Sequence, residues 1–130
     1  MNIIRLDKNG NSARVTVHNG VAYFTGHVSR EPYPTLKEQT AAVLARYDEL
    51  FALFGMKKEN ILMLNAYFQD ISKVSEFFEV YDQWIEGVYP AGLTVEAPCI
   101  TPSKLVEICF IVAVDEESVQ RMKEMEESAS

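Results

Sequence analysis

The sequence predicts an α+β domain, with one mixed β-sheet and two helices packed on one of its faces. Three observations lead there. Alternating segments flank Asn19-Gly20, a dipeptide that favours the two-residue turn of an antiparallel hairpin. Two apolar stripes recur at helical spacing, one from Leu36 to Phe54 and one from Val74 to Ile85. The runs 61–68 and 104–114 are apolar on both parities, as strands covered on both faces are. With 130 residues and 48% hydrophobic content, the chain is one domain with enough apolar mass for a core.

The first strand is IIRL (3–6), followed by the hairpin of ARVTVH (13–18) and VAYFTG (21–26). A loop containing Pro32 and Pro34 leads to Thr35-Leu36-Lys37-Glu38, a capping box whose side chains satisfy the first free N–H groups of a helix. Its stripe takes in Leu36, Thr40, Val43, Leu44, Tyr47, Leu50, Phe51 and Phe54, and Gly55 ends it. ILMLNAYF (61–68) is the next strand. Asp70 or Ser72 caps a second helix, whose stripe is Val74, Phe77, Phe78, Tyr81, Trp84 and Ile85, with Gly87 beyond its end. Pro90, Ala91 and Gly92 read as a bend feeding the strand LTVEA (93–97). After a loop bounded by Pro98 and Pro102, KLVEICFIVAV (104–114) is long and β-branched, the pattern of a central strand.

The order β-β-β-α-β-α-β-β describes a two-layer sandwich. Two helices cover only one face of its sheet. The other face of 104–114 still presents an apolar row, and a second copy of the chain is its simplest cover, so self-association is expected. Residues 1–115 form the domain, and 116–130 read as an acidic extension; residues 115–130 carry six acids against two bases. Val119, Met122 and Met125 give that extension only a thin stripe, which leaves helix and frayed tail both open. It is expected to be dispensable for folding and assembly.

Composition narrows the function. The net charge is −7 and no basic patch exists, which argues against a nucleic-acid partner. No apolar run is long enough to span a membrane, and MNIIRLDKNG lacks the pattern of a secretory signal, so a cytoplasmic location is expected. Cys99 and Cys109 have neither metal-site nor disulfide-scaffold spacing and read as free thiols. No HExxH, P-loop, GxSxG or CxxC pattern occurs, so neither metal nor cofactor is expected.

Glu107 is the most informative residue. It shares a strand parity with Leu105, Cys109, Ile111 and Ala113, and a carboxylate in such a row must be paired or sit at a solvated cleft. A structural ion pair and a general acid/base, or a group orienting water, both fit. His18 and His27 read as polar ends of the first hairpin. Thr25 offers a hydroxyl to a pocket or simply completes a strand, and the aromatic stripe of the second helix reads as core.

The ordered set YFTGHV, LFALFGM, ILMLNAYFQDISKVSEFFEVYDQWI and YPAGLTVEAPCITPSKLVEICFIVAV resembles the Rid family, also called YjgF or L-PSP proteins, up to about residue 114. The opening IIRLD running into VHNG looks like its short-headed YoaB-like branch. The resemblance implies a chorismate-mutase-like fold and a homotrimer, its three sheets forming a central barrel and its clefts lying at subunit boundaries. Active members hydrolyse enamines and imines such as 2-aminoacrylate to keto acids and ammonia, with an arginine on the substrate carboxylate and a glutamate handling water. Carried over by motif, the glutamate falls on Glu107, the pocket hydroxyl on Thr25, a position often held by cysteine on Thr94, and the arginine on Gly92. Ser12 stands about where a pocket tyrosine is usual, and Phe78 where an asparagine is common.

Glycine cannot reproduce the two charge-assisted hydrogen bonds of an arginine. The expectation is therefore a trimer that binds a small metabolite without the standard deaminase activity. Deamination or a related hydrolysis with a displaced arginine, Arg14 or Arg30, is the alternative. A ribonuclease or translation-inhibitor role is disfavoured by the acidic charge.

Overall fold

The computed structural model describes residues 1–129. Six strands form one sheet: β1 (Ile4–Asn9), β2 (Ser12–His18), β3 (Val21–Phe24), β4 (Ile61–Phe68), β5 (Ala91–Glu96) and β6 (Val106–Ala113). Three helices accompany them: α1 (Leu36–Phe54), α2 (Val74–Trp84) and α3 (Glu116–Ala129). The strand order is β1-β2-β3-β6-β4-β5. The pair β4–β5 is parallel, with α2 as its crossover, and every other pairing is antiparallel, so the sheet is mixed as expected. The long β-branched segment does occupy a central place, between β3 and β4.

Local chemistry explains the boundaries. Asn19 (φ 50) and Gly20 (φ 74) both take the left-handed conformation that the β2–β3 turn requires. Thr35 Oγ1 accepts from the Glu38 N–H at 3.1 Å, and Gly55 ends α1 at φ 73 while Met56 N–H reaches Phe51 O. Asp70 caps a short 3-10 turn at Ile71–Lys73, which runs directly into α2.

The core lies between the sheet and the helices. Val15, Val17, Phe24, Leu64, Phe68, Ile108 and Phe110 meet Leu44, Tyr47, Phe51 and Phe77 there, all essentially inaccessible to solvent. Phe110 packs between Tyr47, edge-on, and Trp84, stacked at 5.5 Å between centroids, so β6 anchors both α1 and α2.

Two expectations need correction. Residues 90–92 are not the bend: the left-handed positions fall earlier, at Gly87 (φ 83) and Tyr89 (φ 57), and Ala91 and Gly92 already pair with β4. The C-terminal segment is a packed helix and not an appendix. Met122 is fully buried in the common core, Ser118 Oγ donates to Gly55 O, and Glu126 accepts the outward N–H of Arg5 on edge strand β1. The thin stripe misled because docking, and not intrinsic propensity, holds this helix.

The opposite sheet face carries no helix. Tyr23, Ile111 and Met63 lie side by side across three strands on it, with Leu93 on β5, and Tyr23 and Leu93 are 47% and 48% exposed.

Candidate functional site

Alternation along β6 sends Val106, Ile108, Phe110 and Val112 to the core and Glu107, Cys109 and Ile111 to the uncovered face. Strand register sets Tyr67 beside Glu107, with Val95 on the strand beyond. Thr25, exposed just past β3, follows the buried Phe24 and so belongs to that same face. The Glu107 side chain lies across Gly26: a Cβ at that glycine would stand 2.5 Å from Glu107 Oε2 and 2.9 Å from its Cγ. Among the described residues the carboxylate has no hydrogen-bond or ion-pair partner. It is held by shape and left open for chemistry with something else. Burial first, and then the Glu107 charge, pushes the thiols of both Cys99 and Cys109 up, so they are poor nucleophiles. Cys109 Sγ donates to Phe24 O instead.

Gly92 and Thr94 lie on the other side of the sheet. Register aligns them with Leu64 and Ala66, whose side chains face the helices. There, between β5 and the C-terminal half of α2, opens a cavity of about 520 Å³. Its walls include Leu64, Phe78, Tyr81, Ile85, Gly92 and Thr94, and Asp82, Glu86 and Tyr89 complete its rim. No lysine, arginine or histidine lines it. The backbone at Gly92 does not demand glycine, since a Cβ would meet only Leu64 O at 3.7 Å and Leu64 Cβ at 3.9 Å.

Arg14 and Arg30 are elsewhere in the chain. Strands β3, β6 and β4 separate β2, which carries Arg14, from β5. Both arginines line a smaller hollow of about 220 Å³ beside α1. Arg14 is committed there: its Nε pairs with Asp7 at 2.5 Å and its Nη1 donates to His27 Nε2 at 2.7 Å. That contact fixes the His27 tautomer. Because Nε2 accepts, Nδ1 carries the proton and donates to Thr25 O, 2.8 Å away, with Tyr47 Oη at 3.0 Å. Tyr47 in turn donates to Ile108 O. Burial, aided by the Arg14 charge, lowers the His27 pKa to about 4, so the ring is neutral at pH 7.

Within one chain, register puts Glu107 and Thr25 on one face of the sheet and Gly92 with Thr94 on the other. The sequence reading passed over Gly26 and read His27 as a polar hairpin end, whereas that ring is buried against Tyr47. The tyrosine inside the α1 stripe was the available signal for the latter, because a buried phenol needs a hydrogen-bond partner. Nothing about Gly26 except its place before His27 pointed to a cradle. Among the described residues, no group of three or more His, Cys, Asp or Glu converges as metal ligands. No helix there is long and apolar enough to cross a membrane.

A family model described as endoribonuclease L-PSP matches residues 5–114, from β1 to the residue after β6. The chain belongs to the L-PSP family. Relatives agree with this. A RutC family protein of Haemophilus influenzae is 34% identical over 116 residues, covering 85% of this chain and 97% of that one. The RutC family protein YoaB of Escherichia coli is 31% identical over 115 residues, covering 88% and 100%. A YjgF-family crystal structure from Neisseria meningitidis superposes with a TM-score of 0.83 at 30% identity, covering 89% and 98%. In this L-PSP-family chain, then, Gly92 opens onto an apolar and acidic cavity. α3 lies outside the matched span.

Proposed function

We propose that this L-PSP-family chain is a homotrimer that binds a small metabolite in clefts between subunits, without hydrolysing amino-acid imines. The cation-free lining of the Gly92 cavity carries this reading. A 2-aminoacrylate-like substrate presents a carboxylate, and here it meets Asp82 and Glu86 with no guanidinium to clamp it. The missing clamp forfeits on the order of 10²-fold in binding and positioning. Like charges in a cleft walled by apolar residues add to the discrimination.

The opposed faces support the subunit boundary as the site. Glu107 and Thr25 face away from Gly92 within one chain, so a cleft containing all of them needs Glu107 of the partner subunit. The uncovered row of Tyr23, Ile111 and Met63 gives assembly its apolar surface. A relocated arginine is the weaker reading, since Arg14 is held by Asp7 and His27. An RNA-directed role, as the family model's description endoribonuclease and that of a Salmonella typhimurium structural relative as a translation initiation inhibitor would suggest, fits this chain poorly at a net charge of −7.

Calorimetric titration with 2-oxobutyrate, a keto-acid product of the family reaction, tests the reading. The wild-type protein is expected to give no saturable heat at millimolar ligand, and Gly92→Arg to gain binding. Tight wild-type binding that disappears in Arg14→Ala or Arg30→Ala would replace the reading with a displaced anchor.

A further inference from the structure

We infer that the Gly92 cavity takes an organic cation, a protonated amine whose apolar body lies against Phe78 and Tyr81. The inference rests on the reading above and names the ligand class of its site. Three features converge. First, the cavity sits at the C-terminal end of α2, where unpaired carbonyls leave partial negative charge; that helix has no basic residue in its last turn. Second, Asp82 in that turn and Glu86 just beyond the helix both line the cavity. Neither has an ion-pair partner among the described residues. Two like charges lining one cavity repel, and a cation held near them relieves the repulsion.

Third, the remaining walls suit a cation with an apolar body. Phe78, Tyr81 and Tyr89 line it, and aromatic rings attract ammonium groups through their quadrupoles. Burial and the neighbouring Asp82 push the Tyr81 phenol up to about 12, so that ring stays neutral. Gly92 adds room beside Leu64. A volume of about 520 Å³ lies within the range of small-molecule sites. Exchanging a carboxylate clamp for a pair of acids inverts the charge the cavity selects, and leaves its apolar floor intact.

Three probes that share a benzyl group separate charge from the apolar body: benzylammonium chloride, benzyl alcohol and sodium phenylacetate, titrated into the whole chain at low ionic strength. Benzylammonium is expected to bind at least tenfold more tightly than either other probe. Asp82→Asn with Glu86→Gln should weaken it about tenfold, the combined worth of two partly exposed ion pairs, and leave benzyl alcohol unchanged. Both positions are exposed, so the double variant is expected to fold normally. Equal binding of benzyl alcohol, no binding of benzylammonium, or an indifferent double variant would overturn the inference alone. Preferential binding of phenylacetate would overturn both it and the reading on which it rests.

Discussion

A methyl group on Gly26 would occupy space that Glu107 already fills, with its Oε2 only 2.5 Å from the new Cβ. Gly26→Ala is expected to destabilise the protein by about 1–3 kcal/mol, as overpacking does. Most of that cost should vanish in a Glu107→Ala background. Denaturant titration of the four proteins at one chain concentration gives the coupling, and strict additivity would mean that the two residues do not touch. His27 makes a second residue-scale test. Its pKa is depressed to about 4 in the fold against about 6.5 when unfolded, so the unfolded chain takes up the proton first. The stability is fully present above pH 6.5 and is lost as pH falls toward 4, by on the order of 3 kcal/mol at most. Chemical denaturation at pH 7.5, 5.5 and 4.5 should show this slope in the wild type and a flatter one in His27→Gln. Parallel slopes would contradict the Arg14–His27 arrangement. Neither role was legible in the sequence: Gly26 matters for Glu107, which β6 brings against it across 81 positions of chain, and His27 for Arg14 and Tyr47, which β2 and α1 bring to its ring.

At the scale of elements, α1 was legible from end to end because its cap, stripe and stop are all local. The same holds for the Asn19-Gly20 hairpin. The exact start of β5 was not, since Tyr89 at φ 57 is a conformation that no tyrosine advertises. Helix α3 shows the limit most plainly. With few apolar residues it has little reason to form alone, yet Met122 is fully buried against the body and Glu126 occupies an open donor of edge strand β1. Met122→Ala is therefore expected to cost about 2–5 kcal/mol, the range for emptying a buried methionine site. Truncation after Asp115 should lower the melting temperature clearly. A truncated chain melting with the full-length protein would restore the dispensable tail that the sequence alone implied.

For the whole molecule, the face that α1, α2 and α3 leave bare decides the assembly. Leu93, Tyr23 and Ile111 on that face call for a partner, and the L-PSP-family reading makes it two further copies. Size exclusion with light scattering is expected to give the mass of three chains, and a stable monomer at micromolar concentration would leave the candidate site divided between two faces. On the proposed reading only assembly unites Glu107 with the Gly92 cavity, and the site was half-legible in the sequence because motif order proposed its residues but could not say which face each takes. The most direct test of the account is the rate of imine hydrolysis. An imine-generating dehydratase or amino-acid oxidase feeds 2-aminoacrylate or a related imine, semicarbazide traps what remains, and wild type is compared with Gly92→Arg. That substitution fits the backbone, where a Cβ stays 3.7 Å from Leu64 O, and should fold with an unchanged melting temperature. The account predicts wild-type protein no faster than the spontaneous reaction, and any gain confined to Gly92→Arg. Saturable wild-type turnover, lost in Glu107→Gln, would contradict it.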